Sequence, residues 1–162
     1  MSAPFFRYAD TIGDGSGSVE MNVDGTTPVV FKIQPRTGER SLRVERVLIS
    51  VRDSGTFDTG AYGNGIALTA GVSMCVHDAN TDAVKLDLLG GFPVKTNGDW
   101  AAACYDTTVD TYGTGDQVMS IRWTFSKTGV ALPVSSDEYL GITIADNLTG
   151  LSHQRMFFQG TI

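Results

Sequence analysis

The residues best suited to chemistry in this chain are few. Asp78-Ala79-Asn80-Thr81-Asp82 follows the D-x-N-x-D opening of a calcium loop, in which oxygens at alternate positions wrap a hard cation. The pattern stops there, with Ala83 where the sharp turn needs glycine and Leu89 where a bidentate glutamate belongs. A hairpin turn between strands 72–78 and 84–89 accounts for the same residues. Cys75 and His77 would share one strand face as half of a transition-metal site, but His153 is the only other histidine and Cys104 has no ligand-type partner at a familiar spacing. Ser152-His153 sets a hydroxyl beside a base without a G-x-S-x-G elbow. Asp137 and Glu138 are adjacent, so on a strand they face opposite ways, which is wrong for paired acid–base work. Gly13-Asp14-Gly15-Ser16-Gly17 is rich in glycine, but Asp14 repels phosphate and no Lys-Ser/Thr pair follows. Asn147-Leu148-Thr149 spells a glycosylation sequon and reads as a turn between the last two strands. The expectation is a protein that is not an enzyme and needs no metal and no cofactor. Trp100, Tyr62, Tyr105 and Tyr112 sit in or beside loops and suit stacking on sugar rings; half-burial at strand ends explains them equally.

The elements that hold these residues are strands. From Gln117 to Ser126 the odd positions Met119, Ile121, Trp123 and Phe125 are large and apolar, while Val118, Ser120, Arg122 and Thr124 between them are mostly polar. This period of two is that of a pleated strand with one buried face. Four such side chains, fully buried, contribute roughly 6–12 kcal/mol of gross burial free energy. A face of this kind needs an opposing layer, and a second sheet supplies it in a chain with few helix signals. Further strands are expected at 18–23 and 29–33 around Asp24-Gly25, at 41–51, 66–68, 72–78, 84–89, 92–96, 100–105, 139–145 and 155–159. In the 41–51 segment Leu42 and Val44 have one phase and Val47, Ile49 and Val51 the other, which predicts a bulge near Glu45-Arg46. Leu140, Ile142 and Ile144 share a face, and Met156 and Phe158 oppose Phe157. The fold expected is all-β, an antiparallel, jelly-roll-like sandwich of about ten short strands.

Length and composition agree. With 162 residues, 41% hydrophobic and 19% charged, the chain suits one globular domain, and 19 glycines point to many turns. Twelve Lys and Arg against 18 Asp and Glu give a formal charge of −6, which speaks against nucleic acid or anionic lipid as a main partner. No apolar run approaches membrane-spanning length, and residues 1–7 lack the pattern of a secretory signal. Cys75 and Cys104 are too few for a disulfide framework; two buried thiols or one bridge both fit. Residues 1–16 differ from the single domain expected over 17–162: Phe5, Phe6 and Tyr8 precede a Gly/Ser-rich segment. Such a stretch suits an arm reaching to a neighbouring subunit, or a first strand folded onto its own core. Residues 53–65 read as a long loop of the type that carries contacts.

Ser54–Val72, Pro93–Trp100, Cys104–Asp106 and Arg122–Lys127 carry strings with which the chain resembles small virion proteins of tailed bacteriophages, over most of its length from about residue 19. The resemblance implies a structural part of the particle, located in the virion and made in the host cytoplasm. It implies a head decoration (cement) protein that binds the phage capsid protein, or a component near the tail. Cement proteins add buried interface where shell subunits meet, often as dimers or trimers, so a homo-oligomer is expected. The contact residues expected on this reading are Phe5, Phe6 and Tyr8, with Phe57 and Tyr62 of the 53–65 loop. The alternative is a tail- or fibre-associated host-recognition module that binds carbohydrate.

Overall fold

The computed structural model describes residues 3–10, 25, 28–103, 106–113, 115–125, 131–148 and 151–162. Among the described residues ten strands follow one another: β1 (Pro4–Asp10), β2 (Val29–Ile33), β3 (Ser41–Ser54), β4 (Val72–Asp78), β5 (Val84–Asp87), β6 (Asp106–Tyr112), β7 (Asp116–Thr124), β8 (Leu132–Ser135), β9 (Glu138–Ile144) and β10 (His153–Thr161). A short helix, α1 (Asn97–Ala103), lies between β5 and β6. One sheet has the order β1-β10-β3-β7-β6, with β8 also paired to β3, and the other β2-β9-β4-β5; the named pairings are antiparallel. The chain crosses between sheets after β1, β2 and β3, makes a hairpin from β4 to β5, and crosses again after β5. With β1-β10-β3-β7 facing β2-β9-β4-β5, this is a jelly roll, to which β6 and β8 are additions.

Alternation produces the layers. Leu140, Ile142 and Ile144 of β9 meet Met119 and Ile121 of β7, Val47, Ile49 and Val51 of β3, and Met156 and Phe158 of β10 in one core, all nearly inaccessible to solvent. Phe157 points the other way and is half-buried. The bulge falls at Glu45: β10 pairs Gln159 with Arg46 and Gly160 with Val44, so Glu45 has no partner and the buried phase changes from Val44 to Val47. The other edge of β3 changes partner at the same point, pairing with β8 over Ser41–Val44 and with β7 over Arg46–Ser54.

Several expectations need correction. Residues 100–105 were expected as a strand, yet Trp100–Ala103 belong to α1. Thr96 and Asp99 form a capping box, in which the Asp99 N–H donates to Thr96 Oγ1 at 3.0 Å and the Thr96 N–H to Asp99 Oδ2 at 2.9 Å, and an alanine run follows. Residues 66–68 are loop, with Ile66 85% exposed, and 92–96 makes only a single bridge, Val94 to Val72. β6 and β8 are strands that the alternation did not reveal, the first polar and at an edge, the second four residues long. Trp123 and Phe125, at the end of β7 and just past it, are half-buried and pack against the core. Pro4–Asp10 is an edge strand of the larger sheet, paired with β10, and the boundary expected at residue 16 lies outside the described residues. The strand expected at 18–23 and the segment 13–17 lie outside the described residues, as do Cys104, Tyr105 and Thr149.

Candidate functional site

The loop from Gly55 to Gly71 is held open at the end of the sandwich by buried polar side chains. Asp53, at the end of β3, accepts the N–H of Ser54 at 2.8 Å and of Asn64 at 3.1 Å. Asn97, in the first turn of α1, donates to the carbonyls of Asp58 and Gly63, each at 2.7 Å, and accepts the Gly63 N–H at 3.0 Å. Asp146 accepts the N–H groups of Thr69, Ala70 and Gly71. Gly63 has φ of 66°, and a Cβ there would lie 2.6 Å from Leu151, so this turn admits only glycine without strain. The result is a ready-shaped cavity of about 410 Å³ bordered by Asp53, Asn64, Ile66, Leu68, Asp146 and Leu151.

Two expected contact residues belong to this loop. Tyr62 is 3% exposed, and its hydroxyl donates to Gln154 Oε1 at 2.9 Å inside the core. It is a structural anchor and is corrected as a surface contact; burial holds its hydroxyl in the neutral form by raising its pKa. Phe57 is half-buried, packs against the core, and donates its backbone N–H to Gln117 Oε1 at 2.6 Å. Trp100 is 0% exposed, so stacking on a sugar is closed to it. The side chains of Tyr112 and His153 lie outside the description.

The other three lie on β1. Phe5 packs on the core, whereas Phe6 and Tyr8 point outward at 59% and 48% exposure. Both rings lie beside Phe157 of β10, with centroids 5.7 and 6.1 Å away, making a three-ring ridge. From this ridge one register row runs across the sheet: Tyr8, Phe157, Leu48, Arg122, Asp106. Arg43, Arg46, Arg52 and Arg155 stand at other outward positions of β3 and β10. Sequence reading named Phe6 and Tyr8 but missed Phe157 and this arginine set, because the residues come from four strands. The outward phase of each strand, read separately, was the available signal.

The chemistry-bearing patterns have structural employment. Asp78 Oδ1 accepts the N–H groups of Asn80 and Thr81, each at 3.0 Å, closing the turn between β4 and β5. Those bonds, with Lys85 nearby, hold its carboxyl below the ordinary range. Lys85 lies 3.4 Å from Asp78, 3.6 Å from Asp137 and 3.2 Å from Glu138, and its pKa is raised chiefly by Glu138. His77 stacks on Tyr139 at 4.8 Å, and Lys32 stands 3.7 Å from the centroid of the same ring. Cys75 is a buried free thiol whose pKa is pushed up by desolvation, the opposite of nucleophile activation. No family model and no curated protein matches the chain.

Proposed function

We propose that this protein is a non-enzymatic structural component of a phage particle, a capsid decoration (cement) protein that binds the head and stabilises it. The resemblance of its sequence to small virion proteins supports the reading. The observation that carries it is the outer face of the larger sheet, which the ridge of Phe6, Tyr8 and Phe157 shares with Arg46, Arg52 and Arg122. Aromatic rings and arginines are the side chains most enriched where protein surfaces dock. An added subunit stabilises a shell by mass action, in proportion to its occupancy. The sandwich itself is neutral on this point, since jelly rolls serve shells and lectins alike.

The test is occupancy on the particle. Arg52 and Arg122 form exposed pairs with Asp116 and Asp106, so charge reversal there changes stability by about 0–1 kcal/mol. The double variant Arg52→Glu/Arg122→Glu is expected to melt near the wild type and to lose co-sedimentation with the particle. Full retention of binding overturns the assignment to this face. A low-resolution map of the intact particle places the protein: many copies over the shell support decoration, and a few at one vertex support a tail role.

The cavity favours a second reading, a tail- or fibre-associated module that binds carbohydrate. Asp53, Asn64 and Asp146 beside Leu68 and Leu151 offer polar groups next to apolar surface, as a sugar requires. Specific signal on a glycan array, lost on Ile66→Asp at the exposed rim, decides for it.

A further inference from the structure

The two lateral flanks of the sandwich differ in shape and charge. On one, edge strands β1 and β2 lie side by side, and a cleft of about 380 Å³ between them is lined by Phe6, Tyr8, Arg7, Lys32 and Arg36 above Phe158. Arg7 and Glu39 neutralise each other, which leaves Lys32 and Arg36 as the cations of the cleft. This flank therefore presents exposed rings in a basic setting.

The other flank is formed by edge strands β5 and β6 with α1. There an apolar groove of about 200 Å³ opens between Leu88, Leu89 and Phe92 on one side, Ala102 and Ala103 on another, and Trp123. Phe92 is 45% exposed, and Val84, Leu86 and Val109 leave further apolar surface nearby at 58%, 48% and 48%. Asp87 and Asp110 are exposed on these two edge strands; Asp106 is paired with Arg122, and Lys85 of β5 with Asp78, Asp137 and Glu138, so neither of these two adds to the balance. This flank is apolar in an acidic setting.

We propose that the chain associates head to tail, the β1–β2 flank of one copy seated on the β5–β6–α1 flank of the next. Phe6, the more exposed ring, enters the groove beside Phe92, and Lys32 and Arg36 face Asp87 and Asp110. The occupant is a second copy because both halves of the contact, ring and groove, base and acid, are present on one chain at opposite sides. Such a contact joins two different surfaces, so each bound copy still offers one free flank, and repetition closes a ring when the rotation allows. It also covers edge strands, whose unpaired backbone groups otherwise invite unregulated pairing. Self-association of this sort requires no particle; it engages Phe6 of the ridge, whereas particle binding is tested through Arg52 and Arg122, so its failure leaves the particle-binding reading untouched.

Sedimentation of the full chain decides it. The wild type is expected to form oligomers that dissociate as salt is raised, because the flanks attract through exposed charges. Phe6→Ser and Phe92→Ser are each expected to be monomeric. Mixed together they should give a dimer and nothing larger, since the first keeps its groove and the second keeps its ring. Circular dichroism melting checks that each variant is folded. Should Phe6→Ser be unstable, Arg36→Glu and Asp110→Lys test the same pairing: each alone weakens association, and the mixture restores it. A wild type that stays monomeric across its soluble concentration range overturns the proposal. So does a dimer that both serine variants abolish and their mixture fails to restore, which marks a contact of like surfaces.

Discussion

Arg7 Nη2 lies 2.6 and 2.7 Å from the two carboxylate oxygens of Glu39, while Nη1 donates to the Gln34 carbonyl at 2.8 Å. One side chain thereby ties edge strand β1 of the larger sheet to the turn that follows β2 of the smaller. The Arg7 guanidinium, helped by the Arg36 N–H, holds the Glu39 carboxyl below its ordinary value of 4.5. A depressed carboxylate pKa gives stability that is complete above the ordinary value and is lost as pH falls through the depressed one. Glu39→Gln is therefore expected to melt below the wild type at neutral pH and to converge with it in acid. Thermal midpoints of the pair, measured from pH 7 down to about pH 2 across the ordinary carboxylate range, check this; a constant gap assigns the effect to packing.

Asp146 satisfies the N–H groups of three successive residues, Thr69, Ala70 and Gly71. Asp146→Ala leaves them without their acceptor at a position only 9% exposed. The expected loss is about 2–4 kcal/mol in urea unfolding, with hydrogen bonds to a charged group at the upper end of the usual range. Asp146→Asn, which keeps one acceptor oxygen, should recover part of it.

Tyr62 should be silent in a spectrophotometric alkaline titration until the protein unfolds, because burial raises its hydroxyl pKa above the ordinary 10. The sign for stability follows: it is unaffected below the ordinary value and falls as pH rises above it, where only the unfolded chain ionises. Tyr62→Phe removes this residue's share of the alkaline sensitivity, that of Tyr139 and Cys75 remaining, and leaves Gln154 without its donor. The expected cost at neutral pH is about 1–2 kcal/mol.

Gly160 sits opposite the bulge, where a Cβ would lie 1.9 Å from the Arg43 carbonyl oxygen and 3.1 Å from the Phe5 ring. Backbone cannot move aside as a side chain does. Gly160→Ala is expected to destabilise by about 3 kcal/mol, the upper end of ordinary overpacking, and to detach β1 as well as shift β3. Amide exchange at Phe5 and Phe6 reads the second effect.

Where burial alternates along one strand, the fold was legible without coordinates. Leu140, Ile142 and Ile144, or Met156 and Phe158 against Phe157, declare strand and buried face together, because the period of two is a property of the local backbone. The bulge at Glu45 was legible for the same reason, as a change of phase within one stretch. β6 was not, since an edge strand needs little apolar content and its sequence, DTTVDTY, holds strand-favouring residues without apolar alternation. α1 was misread because an apolar run outweighed the Thr96 and Asp99 pair, which marked the helix start.

The candidate surfaces divide along the same line. By its local pattern the chain determined an all-β sandwich with aromatic residues near its start and a long loop after β3. Only the tertiary structure decided that Tyr62 of that loop turns into the core while Phe6 and Tyr8 turn out, and that Phe157, Leu48 and Arg122 line up beside Tyr8. Period and propensity act between neighbours in sequence, so they fix which residues share a face. Which faces meet, and which are left at an edge, depends on pairings between residues more than a hundred positions apart, such as Tyr8 with Phe157.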